Sequence, residues 1–97
     1  MVVIEVTISS GVMAPEDLQR LSSQIAQALG EEARTIILSG RLPVWAFSYL
    51  ATLAATRGAR VATFDPRLQA GVIVWPAEEA GRLLPVTGEE ERREIVI

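Results

Sequence analysis

The chain has 97 residues, enough for one domain with a modest core. With 49% hydrophobic and 22% charged residues it should fold, and with no cysteine it carries no disulfide framework, thiolate metal site or cysteine nucleophile. A net charge of −3 argues against holding long duplex nucleic acid by bulk electrostatics, but leaves room for a small phosphorylated ligand in a local basic pocket.

In chain order, Val2 to Ile8 is rich in β-branched residues and reads as a strand. Gly11 to Pro15 is a turn. Glu16 to Leu29 reads as an amphipathic helix, with Leu18, Leu21, Ile25 and Leu29 near helical period and Gly30 ending it. Arg34 to Ser39 is a buried-type strand. Pro43 suits the first position of a second helix, Val44 to Thr56, which Arg57 and Gly58 close. Arg60 to Phe64 is a third strand, Asp65 to Leu68 a turn, and Ala70 to Trp75 a fourth strand. Pro76 to Arg82 carries a short helical turn, and Leu83 to Val86 is extended. Glu89 to Arg93 is a solvated charge run, and Glu94 to Ile97 is a last strand.

The β-α-β-α-β alternation predicts a small Rossmann-like α/β domain with a parallel core and added antiparallel C-terminal strands, one domain over residues 1–97. Right-handed crossovers then open the loops after the second and third strands on one sheet edge, where ligands bind in open α/β sheets. Arg41, Asp65 and Arg67 are thus expected to converge. The second helix is apolar nearly all round, with Val44, Phe47, Leu50, Ala51 and Ala54 on one face and Trp45, Tyr49, Thr52 and Thr56 on another. A short chain cannot easily cover both faces, so a two-fold homodimer is expected. The alternative is that Trp45 and Tyr49 lie under the chain's own C-terminal segment. There is no basic, apolar leader and no apolar run of membrane-spanning length, so a cytoplasmic location is expected.

The stretch Ser39 to Trp45 carries most of the functional signal. Gly40 lets the chain turn where a strand ends, and a helix starts just beyond. A fixed cation, Arg41, beside free helix-start amides marks a place for an anion, often a phosphate. Arg41 grips a phosphate or orients an adenine ring, or else it pairs with a carboxylate such as Asp65. Asp65 is the carboxylate at the ligand edge, able to act as general base or to hold a magnesium- or manganese-type ion together with ligand phosphates. Arg67 could stabilise a phosphorane-like transition state. Asp65 before Pro66 is equally a common turn opener. Ser39, Ser48, Tyr49 and Thr52 offer hydroxyls that bind a ligand or serve caps and packing. The chain has no histidine and, by inspection, no lysine, so any charged side chain on a phosphate must be arginine.

Two segments, SGRLPVW at Ser39–Trp45 and ATFDPRLQAGVIVW at Ala62–Trp75, occur in order. Together they resemble the small stand-alone ring nucleases associated with type III CRISPR systems, whose pattern is Ser-Gly-Arg-x-Pro-x-Trp followed by Asp-Pro-Arg-Leu. The resemblance covers Ile36 to Trp75. It implies a distant relative of the CARF domains that binds cyclic tetra-adenylate as a homodimer, or as a dimer of dimers around the ligand. It further implies manganese-assisted opening of the ring through a ribose 2′-hydroxyl, which turns antiviral signalling off; an exonuclease activity on RNA tails also attaches to the family. Carried over by position, Asp65, Arg67 and Arg41 are catalytic and Asp65 is the metal ligand. Ser39, Gly40, Arg41, Trp45, Ser48, Tyr49 and Arg67 bind the ligand. The family's second helix often ends in catalytic histidines; Ala54 to Arg57 stand there instead, with Arg57 in or beside that place. Two other functions are weighed: a non-catalytic binder that sequesters or senses the same messenger, and an α/β dimerising interaction module.

Overall fold

The computed structural model describes residues 1–30 and 34–97. Six strands and two helices follow in the order β1 (Val2–Thr7), α1 (Asp17–Leu29), β2 (Thr35–Gly40), α2 (Val44–Thr56), β3 (Arg60–Asp65), β4 (Ala70–Trp75), β5 (Leu83–Pro85) and β6 (Glu91–Val96). They form one sheet in the order β5-β4-β3-β2-β1-β6. β1, β2 and β3 are parallel, as the alternation predicts. β4 and β5 add antiparallel at one edge. No described helix is long and apolar enough to cross a membrane.

The antiparallel expectation holds for β4 and β5 and fails for β6, which lies parallel to β1 at the opposite edge. The last strand also begins at Glu91 rather than Glu94, so part of the charge run is strand. The reason is the free backbone edge of β1, which pairs from Val2 with Glu91 onward. Charges suit an outer strand, because they discourage further pairing. Arg34 Nη1 meets Glu91 Oε1 at 3.1 Å, and the Arg93 guanidinium donates to the Ala28 carbonyl at the end of α1.

Both helices lie on one face of the sheet. Leu21, Ile25 and Leu29 of α1 join Ala46, Leu50 and Ala54 of α2 over Val2, Ile4, Val6, Ile36, Leu38 and Val61. Each large apolar side chain buried there contributes about 1.5–3 kcal/mol. The opposite face holds a smaller core of Val3, Ile37, Ala62 and Ile73, with Phe64, Leu84 and Val86 packed on it. Residues 86–90 connect β5 to β6 across the sheet. Val86 donates its amide to the Gln69 carbonyl at 3.1 Å, and Glu90 accepts from the amides of Thr87 and Gly88 at 2.8 and 2.9 Å.

Pro43 stands one position outside α2 rather than at its first residue. Its ψ of 155° is extended, and its carbonyl accepts from the amides of Ala46 and Phe47 at 3.0 and 3.3 Å. That is the geometry of a residue entering a helix.

Candidate functional site

Three parallel strands end together at one sheet edge, and a cavity of about 650 Å³ opens there. Its walls include Glu5, Ser39, Gly40, Arg41, Phe47 and Phe64. Side chains alternate along a strand. Val6 and Leu38 belong to the helix-side core, so Glu5 and Ser39 fall on the opposite face, in register as partners on β1 and β2. Phe64 shares that face with Ala62. Phe47 enters from α2 on the helix side, and the cavity straddles the edge between the two faces.

Gly40 fixes the turn that delivers Arg41. Its φ is +137°, a conformation that other residues rarely adopt, and a Cβ built on it would lie 2.4 Å from the Val6 carbonyl oxygen. Arg41 follows directly, exposed at the cavity wall. Arg41 has no hydrogen-bond or ion-pair partner among the described residues. The alternative pairing with Asp65 does not occur. A guanidinium that has no internal partner presents its full set of donors to a ligand.

Asp65 and Arg67 share this edge but are turned to each other. Asp65 Oδ1 accepts from the Arg67 amide at 2.8 Å, and Oδ2 accepts from Arg67 Nη2 at 3.1 Å. The Arg67 side-chain hydrogen bond, then its backbone amide, holds the Asp65 carboxyl below the usual carboxylate range. Of this turn it is Pro66 that reaches the cavity wall, which puts the Asp65–Arg67 pair beside the cavity rather than inside it. The Arg67 side chain is 88% exposed.

The helix residues named from the sequence separate. Tyr49 packs against the helix-side core and does not line the cavity, because it lies on the inward flank of α2. Trp45 is 39% exposed and also stands outside the cavity lining. Ser48 lines a second groove, of about 560 Å³, with Ala51, Thr52, Ala55, Val74 and Trp75. Hydroxyls on this flank are satisfied within their own helix: Ser48 donates to the Val44 carbonyl and Thr52 to the Ser48 carbonyl at 3.1 and 2.9 Å. What they present outward is therefore largely apolar. Arg57 ends α2 at the other edge of the sheet, about 20 Å from the cavity by helical rise, so within one chain it does not join the site.

Sequence reasoning passed over Glu5. Its Oε2 is buried with no hydrogen-bond partner among the described residues, and the side chain lines the cavity. The signal was a lone acid inside the β-branched run VVIEVT.

The described residues hold no group of three or more potential metal-ligating side chains. Both oxygens of Asp65 already accept from Arg67. This donor set does not fit a protein-built manganese site.

The family model described as CRISPR-associated protein (Cas_csx3) matches residues 6–82 of the chain. The match spans both signature segments and most of the sheet, and the chain belongs to this family. No curated protein matches it.

Proposed function

We propose that this member of the CRISPR-associated Cas_csx3 family binds cyclic tetra-adenylate at the strand-end cavity and opens its ring. The observation that carries the reading is Arg41: a guanidinium with no partner among the described residues, delivered by a turn that only glycine can make, at the wall of a cavity of about 650 Å³. Ligand sites commonly measure about 300–1,000 Å³. One such cavity suits a nucleotide unit rather than a four-nucleotide ring. A ring of repeating units would meet repeated copies of the same site, in a dimer or a dimer of dimers.

In this reading the Arg41 guanidinium takes a phosphate. Ser39 and Gly40 shape the wall, and Phe47 and Phe64 offer apolar surface to a base. Arg67, held at the rim by Asp65, meets a neighbouring phosphate. Ring opening is an in-line attack by a ribose 2′-hydroxyl on its own phosphate, for which positioning and charge stabilisation supply much of the rate. Opening the ring would end the signal that the messenger carries.

Incubation with cyclic tetra-adenylate, followed by chromatographic separation, tests this. Linear products with 2′,3′-cyclic phosphate ends are expected. Absence of binding at micromolar protein overturns the reading. A second reading is a non-catalytic binder of the same ring, favoured by the absence of histidine and by the mutual engagement of Asp65 and Arg67. Tight retention of intact ring would select it.

A further inference from the structure

The proposed reaction needs a group to take the 2′-hydroxyl proton, and the residue expected for that task is badly placed. Asp65 spends its lone pairs on Arg67, through the amide, Nε and Nη2. The chain has no histidine to substitute. Glu5 differs on each count. It sits on β1 beside Ser39 of β2, lines the same cavity as Arg41, and keeps one carboxylate oxygen buried without a donor among the described residues. An unpartnered buried acceptor is costly in a folded protein, by about 1–3 kcal/mol, so a donor supplied by a ligand would relieve it.

Resting on the ring-opening reading, we infer that Glu5 is the general base of this site. Glu5 Oε2 accepts the proton of a ribose 2′-hydroxyl as the O2′–P bond forms. The P–O5′ bond breaks, and O5′ takes a proton from water. The hydroxide left behind removes the proton from Glu5, which returns the carboxylate. Products are a 2′,3′-cyclic phosphate and a 5′-hydroxyl. Arg41 lines the same cavity and meets the phosphate charge that builds during the step. Charged groups on the same sheet face include Glu94, in register with Glu5 on β6, Arg92 on β6, and Arg60 on β3, which is paired with Glu79, with Arg41 at the cavity wall.

Single-turnover opening of cyclic tetra-adenylate by the wild-type chain and by Glu5→Gln is the test, with binding and thermal melting measured on both. The expected result is ring affinity within about threefold of wild type and opening slowed about 100-fold or more, the usual range for loss of a general base. The acidic limb of the wild-type pH–rate profile should disappear in Glu5→Gln. Opening within threefold of wild type overturns the assignment. So does loss of binding in step with loss of opening, which makes Glu5 a ligand contact only. If Glu5→Gln melts low, Glu5→Asp decides: it should keep partial rate and the acidic limb, and a variant lacking both overturns the role. A wild-type chain that leaves the ring intact overturns the ring-opening reading and this base together. A wild-type chain that opens it no faster than Glu5→Gln removes only the base.

Discussion

Gly40 and Val6 approach so closely that a Cβ on Gly40 would lie 2.4 Å from the Val6 carbonyl oxygen. The contact comes from the parallel pairing of β1 with β2, where these two residues are register partners. Gly40→Ala must therefore push two strands apart and also strain a φ of +137°. Destabilisation of about 1–3 kcal/mol is expected, typical of overpacking. In a chain of this size that lowers the melting temperature by roughly 4–20 °C. A melt unchanged from wild type would show that the turn is not constrained as described.

Arg41 should matter for binding and hardly at all for stability. It is exposed and has no partner among the described residues. Arg41→Ala is expected to weaken cyclic tetra-adenylate about 10–100-fold, the worth of a charge-assisted hydrogen bond of about 1.5–3 kcal/mol. Its stability should stay within about 0.5 kcal/mol of wild type. Arg41→Lys should recover only part of the affinity, since an ammonium lacks the planar fork. Equilibrium binding and thermal melting read the two effects separately.

Asp65→Ala distinguishes a turn residue from a chemical one. The carboxylate organises its own turn through the Arg67 amide and guanidinium. The expected outcome is a small drop in melting temperature, because the turn loses the acceptor that organises it. Ring opening should fall less than in Glu5→Gln. A variant that binds normally yet has lost all cleavage would return the base to Asp65.

Glu90 makes the crossing segment sensitive to acid. The Thr87 amide, above all, holds its carboxyl down to about 2, from an ordinary 4.5. A depressed carboxyl stabilises the fold above the unfolded value, and that contribution is lost as pH falls through the folded value. Wild type should therefore lose stability between about pH 4.5 and pH 2 that Glu90→Gln has already lost at pH 7. Melting curves of the two proteins should converge toward pH 2. Parallel curves over the whole range would remove Glu90 from this role.

The outer flank of α2 is expected to be where copies meet. Trp75 and Val74 are 49% and 44% exposed beside Thr52 and Ala55, and the nearby hydroxyls are already satisfied by their own helix. Thr52→Arg should shift a dimer to monomer in sedimentation equilibrium and leave the melting cooperative. A wild-type chain that is monomeric at all concentrations would contradict this.

Much of the architecture was legible because its signals are local. β-branched runs, the Leu18 to Leu29 spacing, Gly30 and Pro43 placed the first three strands and both helices within a residue or two. The turn at Ser39–Leu42 was legible because a glycine, a cation and a helix start adjoin in sequence. β6 was harder. A strand that begins in a charge run looks like a solvated loop until the free edge of β1 is there to pair with it. The positions of Tyr49 and Arg57 relative to the cavity were not legible for a related reason. A helical pattern says which residues share a flank, not which flank meets the sheet or which end meets the cavity.

The sequence by itself determined the α/β class, the parallel core and the Gly40–Arg41 turn, because periodicity and backbone restriction act over a few residues. Only the tertiary structure decided that Asp65 and Arg67 satisfy each other, that Arg41 has no partner among the described residues and that one Glu5 carboxylate oxygen is buried in a side chain at the cavity wall. Those outcomes depend on strand register and on which lone pairs are already taken. Both follow from contacts between residues far apart in the chain, which no local pattern encodes.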